Sequence, residues 1–220
     1  RHIPLLPPCT KTFRGRGIVM CGGGPNYLPP AWVCINMLRK LGCQLPIQLW
    51  HLGDDEMDPV ARRLLTSLDV ECVDATRVRK RHPTRLMGGY ELKPYSILHS
   101  PFRDVLFIDA DNVPVVNPSF LFDTPQFKRT GAILWPDIRR WERTNPIWRF
   151  TGLPYRPGWE SESGQMVFDK ERCWRPLALT QWFNEHSDFY YQHILGDKDT
   201  FTLAFPKLGQ PYATVAKPVH

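Results

Sequence analysis

The sequence predicts an α/β domain built on a mostly parallel central sheet. Short apolar runs typical of buried strands alternate with stretches whose apolar residues recur at helical spacing, a pattern typical of parallel sheets with helical crossovers. Glycine or aspartate follows the most apolar of these runs, as expected where parallel strands end at one edge of a sheet. The 220 residues, 42% hydrophobic and 23% charged, are enough for one domain with a sizeable core.

The first half of the chain carries the clearest elements. The first strand is expected at Gly17–Cys21, an apolar run that ends in three glycines. Pro29 and Pro30 are expected to open the first helix, which continues to about Leu41 before another glycine. The same alternation predicts strands at 47–52, 70–73 and 105–108, and helices at 58–68 and about 90–100.

The second half is less regular. Strands are expected at 132–135 and 165–168, and helices at about 177–185, at 188–195 and from near Asp199. The region 139–163 is rich in tryptophan, proline and arginine and is expected to form loops. One α/β domain, elaborated in its C-terminal half, is therefore the expected architecture.

The chain is basic, with a net charge of +6 and a pI near 9.1, which favours anionic partners such as nucleotides, nucleic acid or acidic surfaces. The cationic excess is concentrated in one segment, which is most simply a solvated loop. Its members are Arg77, Arg79, Lys80, Arg81 and Arg85. This segment lacks interleaved aromatic residues, and no helix is expected to carry a cationic stripe, so a nucleic-acid-binding module is disfavoured.

The sequence also bears on membrane insertion, on zinc binding and on the cell compartment. No stretch approaches the roughly 18 apolar residues that a membrane-spanning helix needs. Because the sequence begins with Arg1 rather than Met, we expect any membrane anchor to lie outside it. The six cysteines form no CxxC pair and the histidines show no HxxxH spacing, so zinc is not expected; the cysteines leave the cellular compartment open.

The strongest chemical motif is Asp109-Ala110-Asp111, which follows the buried strand at 105–108. Residues at i and i+2 of an extended chain project to the same side, so the two carboxylates repel each other unless a cation compensates them. A hard divalent cation such as Mg²⁺ or Mn²⁺ takes oxygen ligands of this kind and often bridges them to substrate phosphates. The alternative is a capping aspartate followed by a turn aspartate.

Several segments resemble GT-A glycosyltransferases. KPYSILHSPFRDVLFIDADN, which begins at Lys93, resembles their core of a helix with a basic residue, a buried strand and a DxD motif. Further segments are similar to the fungal α-mannosyltransferase family that includes the MNN-type α-1,3-mannosyltransferases, and more distantly to the glycogenin and bacterial α-galactosyltransferase family. They are Arg16–Glu56, Gly131–Asp137 (GAILWPD), Glu162–Lys170 (ESGQMVFDK) and Gly196–Phe201 (GDKDTF).

The resemblance implies a Rossmann-like GT-A fold, a nucleotide-sugar donor, a divalent cation (Mn²⁺ or Mg²⁺) and retention of anomeric configuration. It implies that residues 16–125 form the nucleotide-binding half and residues 126–220 the sugar and acceptor half. Asp109 and Asp111 match the metal-binding DxD, and Lys93 matches a basic residue that contacts the donor. The donor-contact residues expected besides these are Cys21, Gly22, Gly23, Ala110, Glu162, Ser163, Gly164 and Lys198.

The resemblance also places the catalytic carboxylates. Asp137 falls where related enzymes hold donor-sugar hydroxyls, and Asp197 and Asp199 belong to an Asp-Lys-Asp that replaces the relatives' Asp-Gln-Asp. We expect Asp197 to lie near the donor sugar. The chain departs from the pattern at Lys198, where the distant relatives carry glutamine. The family's third metal ligand, a histidine, normally comes later than this chain extends, and His220 is a candidate for it.

The expected function is therefore a metal-dependent retaining hexosyltransferase, with GDP-mannose as the leading donor and a glycan or glycoprotein as the acceptor. A UDP-hexose transferase of the same fold is the alternative, because no residue can be named that reads the base. A nucleotidyltransferase, a nucleic-acid-binding module and a catalytically inactive scaffold are the other hypotheses. In a eukaryote the expected location is the Golgi lumen. Tryptophans such as Trp135, Trp141, Trp148 and Trp159 either stack on sugar rings or pack the core.

Overall fold

The computed structural model describes residues 4–10, 12–85 and 87–217. Its frame is one sheet of seven strands: β1 (Arg16–Cys21), β2 (Ile47–His51), β3 (Val70–Asp74), β4 (Asp104–Ile108), β5 (Ala132–Arg140), β6 (Trp159–Asp169) and β7 (Ala213–Thr214). Their order across the sheet is β3-β2-β1-β4-β6-β5-β7. The predicted α/β class is confirmed.

The sheet is mixed but mostly parallel. Strands β3, β2, β1 and β4 are parallel neighbours, and β7 runs parallel to β5. Strand β6 is antiparallel to both of its neighbours, β4 and β5. The chain leaves β1 toward β2 and β3 on one side and returns to β4 on the other. The carboxyl ends of β1 and β4 therefore flank the topological switch point, where ligands bind in open α/β sheets.

Helices cover both faces of this sheet. They are α1 (Gly24–Lys40), α2 (Pro59–Thr66), α3 (Ala75–Arg81), α4 (Leu92–His99), α5 (Pro125–Thr130), α6 (Ile147–Thr151), α7 (Trp174–Glu185), α8 (Ser187–Tyr190) and α9 (Lys198–Lys207). None of the helices within the described residues is long and apolar enough to cross a membrane.

The central strand β4 explains why the core has two layers. Val105 and Phe107 lie in the cluster that contains α4 and α7, whereas Leu106 and Ile108 lie in the cluster that contains α1. All four side chains are at most 5% exposed. A strand buried on both faces gives a continuous apolar run, which is why this element was predicted almost to the residue.

The first helix begins earlier than expected. It starts at Gly24, with Pro25 in its first turn, so that Pro29 and Pro30 lie inside it rather than at its opening. A proline in the first turn removes an N–H that has no intrahelical partner, which explains why the start is tolerated there. The face that α1 buries is formed by Ala31, Cys34, Ile35 and Leu38, at helical spacing.

Three other expectations were wrong in part. The region 139–163 is not only loops, because β5 extends to Arg140, β6 begins at Trp159 and α6 lies between them. The helix expected over 188–195 is the short α8 alone. Four of the five residues of the basic segment lie in the helix α3 and not in a loop, so a helix does carry several cations, whereas Arg85 follows that helix. Arg77 of that helix is paired with Asp54 and Asp74, which lowers its net positive field.

Candidate active site

The turns after β1 and β4 touch at the switch point. A Cβ added to Gly22 would lie 3.3 Å from the Cβ of Ala110, in the middle of the Asp-Ala-Asp motif. A Cβ on Gly23 would come within 2.8 Å of Glu56 and 2.9 Å of His51, so glycine is required here by packing within the chain. The structure thus gives the Gly22–Gly23 turn a role in bringing the two strand ends together.

Cys21 closes β1 beneath this turn. Its Sγ lies 3.3 Å from the hydroxyl oxygen of Ser96 on α4. Burial raises the pKa of the Cys21 thiol to about 12, although the Ser96 hydrogen bond opposes the shift. The thiol is therefore protonated at neutral pH and serves as a packed side chain rather than a nucleophile.

Lys93 joins three parts of the site. It projects from α4, is 7% exposed, and donates to Asp109 Oδ2 (3.0 Å), to the Ser163 hydroxyl (2.9 Å) and to the Ser163 carbonyl oxygen (3.2 Å). Its ammonium nitrogen also lies 3.7 Å from Asp197 Oδ2 at the start of α9. Because an ammonium group has three N–H donors, these contacts occupy all of them. Lys93 therefore positions the surrounding groups, and its direct contact with a donor stays a prediction.

The charges in this group explain its titration behaviour. Burial lowers the pKa of Lys93, but the carboxylates of Asp197 and Asp109 outweigh that effect and raise it, so the ammonium form persists at neutral pH. Burial raises the pKa of Asp109 to about 6, with Lys93 opposing the shift. Burial also raises the pKa of Asp197, which is 3% exposed and whose Oδ2 has no hydrogen-bond partner among the described residues.

Asp111 is the exposed member of the motif. No cluster of three or more His, Cys, Asp or Glu suited to a metal occurs in residues 4–10, 12–85 or 87–217. The two carboxylates of the motif, those of Asp109 and Asp111, follow the end of β4. Mg²⁺ sites often consist of one or two carboxylates completed by water and substrate phosphates. These two carboxylates therefore fit a divalent cation that binds together with a diphosphate. His220, the candidate third ligand, lies outside the described residues.

Glu162, Ser163 and Gly164 belong to β6, next to β4. The Gly164 carbonyl oxygen accepts from the Asp109 backbone N–H (2.8 Å), and its N–H donates to Glu162 Oε1 (2.6 Å). A Cβ on Gly164 would lie 2.7 Å from Glu162 Oε1, so a side chain at position 164 would push the Glu162 carboxylate away from its present place. Gly164 thus contacts Asp109 directly, Glu162 contacts Gly164, and Ser163 is linked to Asp109 through Lys93.

A second charged group surrounds Lys198, which is 8% exposed at the start of α9. Its ammonium nitrogen donates to Asp137 Oδ2 of β5 and to Glu160 Oε2 of β6, the latter at 2.9 Å. Burial lowers the pKa of Lys198, but the hydrogen bonds that it donates to Asp137 and Glu160 outweigh this effect and raise its pKa above the ordinary value. We call Lys198, Asp137 and Glu160 the Lys198 cluster. Lys198 stands where the resemblance implies a glutamine. Its positive charge neutralises the two carboxylates of the cluster, which the neutral amide of a glutamine would not do.

Asp199 lies beside this cluster. It accepts a hydrogen bond from the Ser161 backbone N–H (2.9 Å), is 1% exposed, and burial raises its pKa to about 7. It is in the first turn of α9, whereas Asp197 occupies the position just before the helix, so Asp199 is not the N-cap residue of this helix. The predicted carboxylates 137, 197 and 199 are therefore all at one end of the sheet.

The sequence analysis missed Glu160. It lies in the region that was expected to form loops, and its partner Lys198 is 38 residues away along the chain. The available signal in the sequence was the alternation of glutamate and serine over residues 160–163, in which the serines take the buried positions.

The family of the chain follows from comparison with known proteins. A family model of mannosyltransferases, Mannosyl_trans3, matches residues 15–156 and 154–220. These ranges cover nearly the whole chain, and the protein belongs to this mannosyltransferase family.

Individual relatives agree with this placement. The chain is 28% identical to α-1,2-mannosyltransferase MNN21 of Candida albicans, over 93% of this chain and 39% of that protein. It is also 28% identical to α-1,2-mannosyltransferase MNN5 of Saccharomyces cerevisiae, over 96% of this chain and 46% of that protein. The chain thus spans less than half the length of these curated relatives. Both are named α-1,2 enzymes, and the resemblance to the fungal α-mannosyltransferase family is confirmed.

A solved structure confirms the expected fold. The galactosyltransferase LgtC, in complex with donor and acceptor sugar analogs, superimposes with a TM-score of 0.57 at 12% identity, over 90% of this chain and 73% of that one. At this identity the likeness establishes the fold alone. The fold is that of the GT-A glycosyltransferases.

Proposed function

We propose that this chain is the catalytic domain of a retaining α-mannosyltransferase that transfers mannose from GDP-mannose to a hydroxyl group of a glycan or glycoprotein. The observation that carries the proposal is the joining of Asp109 and Asp197 by one buried cation, Lys93. This contact supports the proposal, because it links the end of β4 that we expect to bind the diphosphate to the turn that we expect to hold the donor sugar. The α-1,2 linkage in the relatives' names makes that linkage the first to test.

The two halves of the chain divide the donor between them. Residues 16–125 supply the turn after β1 and the Asp109–Asp111 motif for the nucleotide diphosphate. Residues 126–220 supply Asp137, Glu160 and Asp197 for sugar hydroxyls. Asp197 is buried and lies 3.7 Å from Lys93 Nζ, which keeps a carboxylate of the second half beside Asp109 of the first.

Departure of the nucleoside diphosphate is the step that needs charge stabilisation. A divalent cation held by Asp109 and Asp111, with Mn²⁺ or Mg²⁺ as candidates, would neutralise the diphosphate when bound. Lys93 contributes to this step indirectly, because its 3.0 Å ion pair holds the Asp109 carboxylate in place. Preorganised charges of this kind need no rearrangement as the leaving group develops its charge.

The cell compartment follows from the same proposal. If the protein is eukaryotic, its substrates place it in the Golgi lumen, and a membrane anchor outside these residues would hold it there. Its partners are then a nucleotide-sugar donor and a glycan acceptor, with no nucleic acid.

A thermal-shift panel tests the donor. GDP-mannose, UDP-glucose, UDP-galactose and UDP-GlcNAc are compared with and without Mn²⁺. A ligand at about 100 times its Kd stabilises the native state by about 2.7 kcal/mol, which raises the Tm of a protein of this size by roughly 5–11 °C. GDP-mannose with Mn²⁺ should give the largest shift.

The other outcomes identify the alternatives. A larger shift with a UDP-sugar would point to the UDP-hexose transferase, and no shift with any donor would favour an inactive scaffold. Salt-sensitive binding to random DNA would support the nucleic-acid module.

A further inference from the structure

A cavity of about 270 Å³ lies next to the Lys198 cluster. Strands β5 and β6, helices α6 and α9 and strand β7 contribute to its lining, as do four tryptophans: Trp135, Trp141, Trp148 and Trp159. Glu160 belongs both to the wall of this cavity and to the Lys198 cluster. The cavity therefore adjoins the Lys198 cluster at Glu160.

The aromatic walls are held in fixed orientations. The rings of Trp141 and Trp148 pack edge to face with centres 4.9 Å apart, and Trp148 Nε1 donates to the Glu142 carbonyl oxygen (2.9 Å). Trp159 is 37% exposed, and the guanidinium of Arg140 lies 4.1 Å from the centre of its ring. Arg140 thus covers one face of the Trp159 ring and fixes its orientation, while the side chain stays partly exposed.

The lining combines these ring surfaces with two charged side chains, Glu160 and Arg156. A neutral pyranose has the complementary chemistry, because its C–H faces are apolar and its hydroxyls both donate and accept hydrogen bonds. Sites for drug-sized ligands have volumes of about 300–1,000 Å³, so this cavity is matched to a single ring and not to a nucleotide.

We propose that this cavity binds a pyranose ring of the acceptor glycan. The inference rests on the proposed transferase function and adds where the acceptor lies. Glu160 provides the connection, since its carboxylate accepts from Lys198 (2.9 Å), which also contacts Asp137 on the donor-sugar side. A sugar ring against Trp159 would thus be separated by Glu160 alone from Lys198 and Asp137, which we expect on the donor-sugar side.

The test substitutes Trp159 in the whole protein. Trp159→Ala removes the ring, and Trp159→Phe keeps an aromatic face. Trp32→Ala is the matched control, because Trp32 is a partly buried tryptophan on α1 and packs in the other layer of the core. Three quantities are measured for each variant: hydrolysis of GDP-mannose without acceptor, the KM for donor, and the KM for methyl α-mannoside and an α-linked mannobiose. Saturation-transfer NMR with the same two saccharides measures binding directly.

Trp159→Ala should raise the acceptor KM at least about tenfold, which corresponds to about 1.4 kcal/mol, while donor hydrolysis and donor KM stay within about twofold. Trp159→Phe should restore most of the loss, and Trp32→Ala should change neither KM. An unchanged acceptor KM in Trp159→Ala, or an equal loss in Trp32→Ala, would overturn the proposal.

The failure of the proposed function would look different. In that case the wild-type protein would neither hydrolyse nor transfer from any donor, and NMR alone would decide the cavity. Saccharide signals that disappear in Trp159→Ala but persist in Trp32→Ala support the site, and signals that persist in both overturn it.

Discussion

Replacement of Lys198 by methionine should destabilise the protein more than any change at an exposed lysine. The side chain is 10% exposed and neutralises two carboxylates, those of Asp137 and Glu160, which are 15% and 16% exposed. Methionine has a similar length but no charge. The variant would leave two like charges facing each other in a largely desolvated place, with Asp199 close by.

The size of the effect follows from this burial. Removing one partner of a buried ion pair costs about 3–5 kcal/mol, because the remaining charge stays uncompensated. The partial exposure of both carboxylates favours the lower end, near 3 kcal/mol. For a protein of 150–250 residues each kcal/mol corresponds to roughly 2–4 °C, so the Tm should fall by about 6–12 °C.

Urea unfolding and thermal melts at pH 7.5 measure this loss. Lys80→Met is the matched control, since Lys80 is exposed on α3 and should change stability by no more than about 0.5 kcal/mol. The triple variant Lys198→Met/Asp137→Asn/Glu160→Gln removes the stranded charges and should recover at least half of the lost stability. A loss below about 1 kcal/mol in Lys198→Met would refute the view that the cluster is a desolvated charge network.

Three further outcomes are expected. Asp111→Asn should reduce transfer at least about 100-fold with an unchanged Tm, because the side chain is exposed and needed only with the cation; undiminished turnover in EDTA would remove the metal from the mechanism. Burial raises the pKa of Asp199 to about 7, so its stabilising contribution is complete below pH 4 and is lost as the pH rises toward 7. Relative to Asp199→Asn, wild-type stability should therefore fall across this window, by at most about 1.4 kcal/mol per pH unit, and parallel pH profiles would contradict the assignment. Asp197→Ala should lower kcat far more than it weakens nucleotide binding, and NMR of the first product should show an α-glycoside; a β-linked product from an α-linked donor would disprove retention.

The strands of the first half could be predicted because each contains a short apolar run, which in β1, β2 and β4 is buried on both faces. Residues 105–108 illustrate this, since the structure adds only Asp104 to the predicted strand. The first part of β6 could not be predicted in this way. Its sequence from Trp159 to Gly164 places serines at two of its buried positions, 161 and 163, so hydrophobic periodicity is absent where the backbone pairs as a strand.

The site could be predicted where its residues follow a strand or match a family motif. Asp109 and Asp111 were found by their place after β4, and Lys93 and Asp197 by resemblance. The contacts between these residues required the fold. Lys93 meets Ser163 from 70 residues away, and Lys198 meets Asp137 from 61 residues away, separations that no local pattern records.

The start of α9 explains how these distant pieces become one site. Successive helical residues point about 100° apart, because a turn contains 3.6 residues. Asp197 accordingly faces Lys93 and the end of β4, Lys198 faces Asp137 and Glu160, and Asp199 reaches the Ser161 backbone N–H. Three consecutive side chains thus connect α4, β5 and β6 through separate polar contacts. A shift of this one turn would disturb the diphosphate end and the sugar end together, so the rigidity of both depends on how firmly α9 is packed against the sheet.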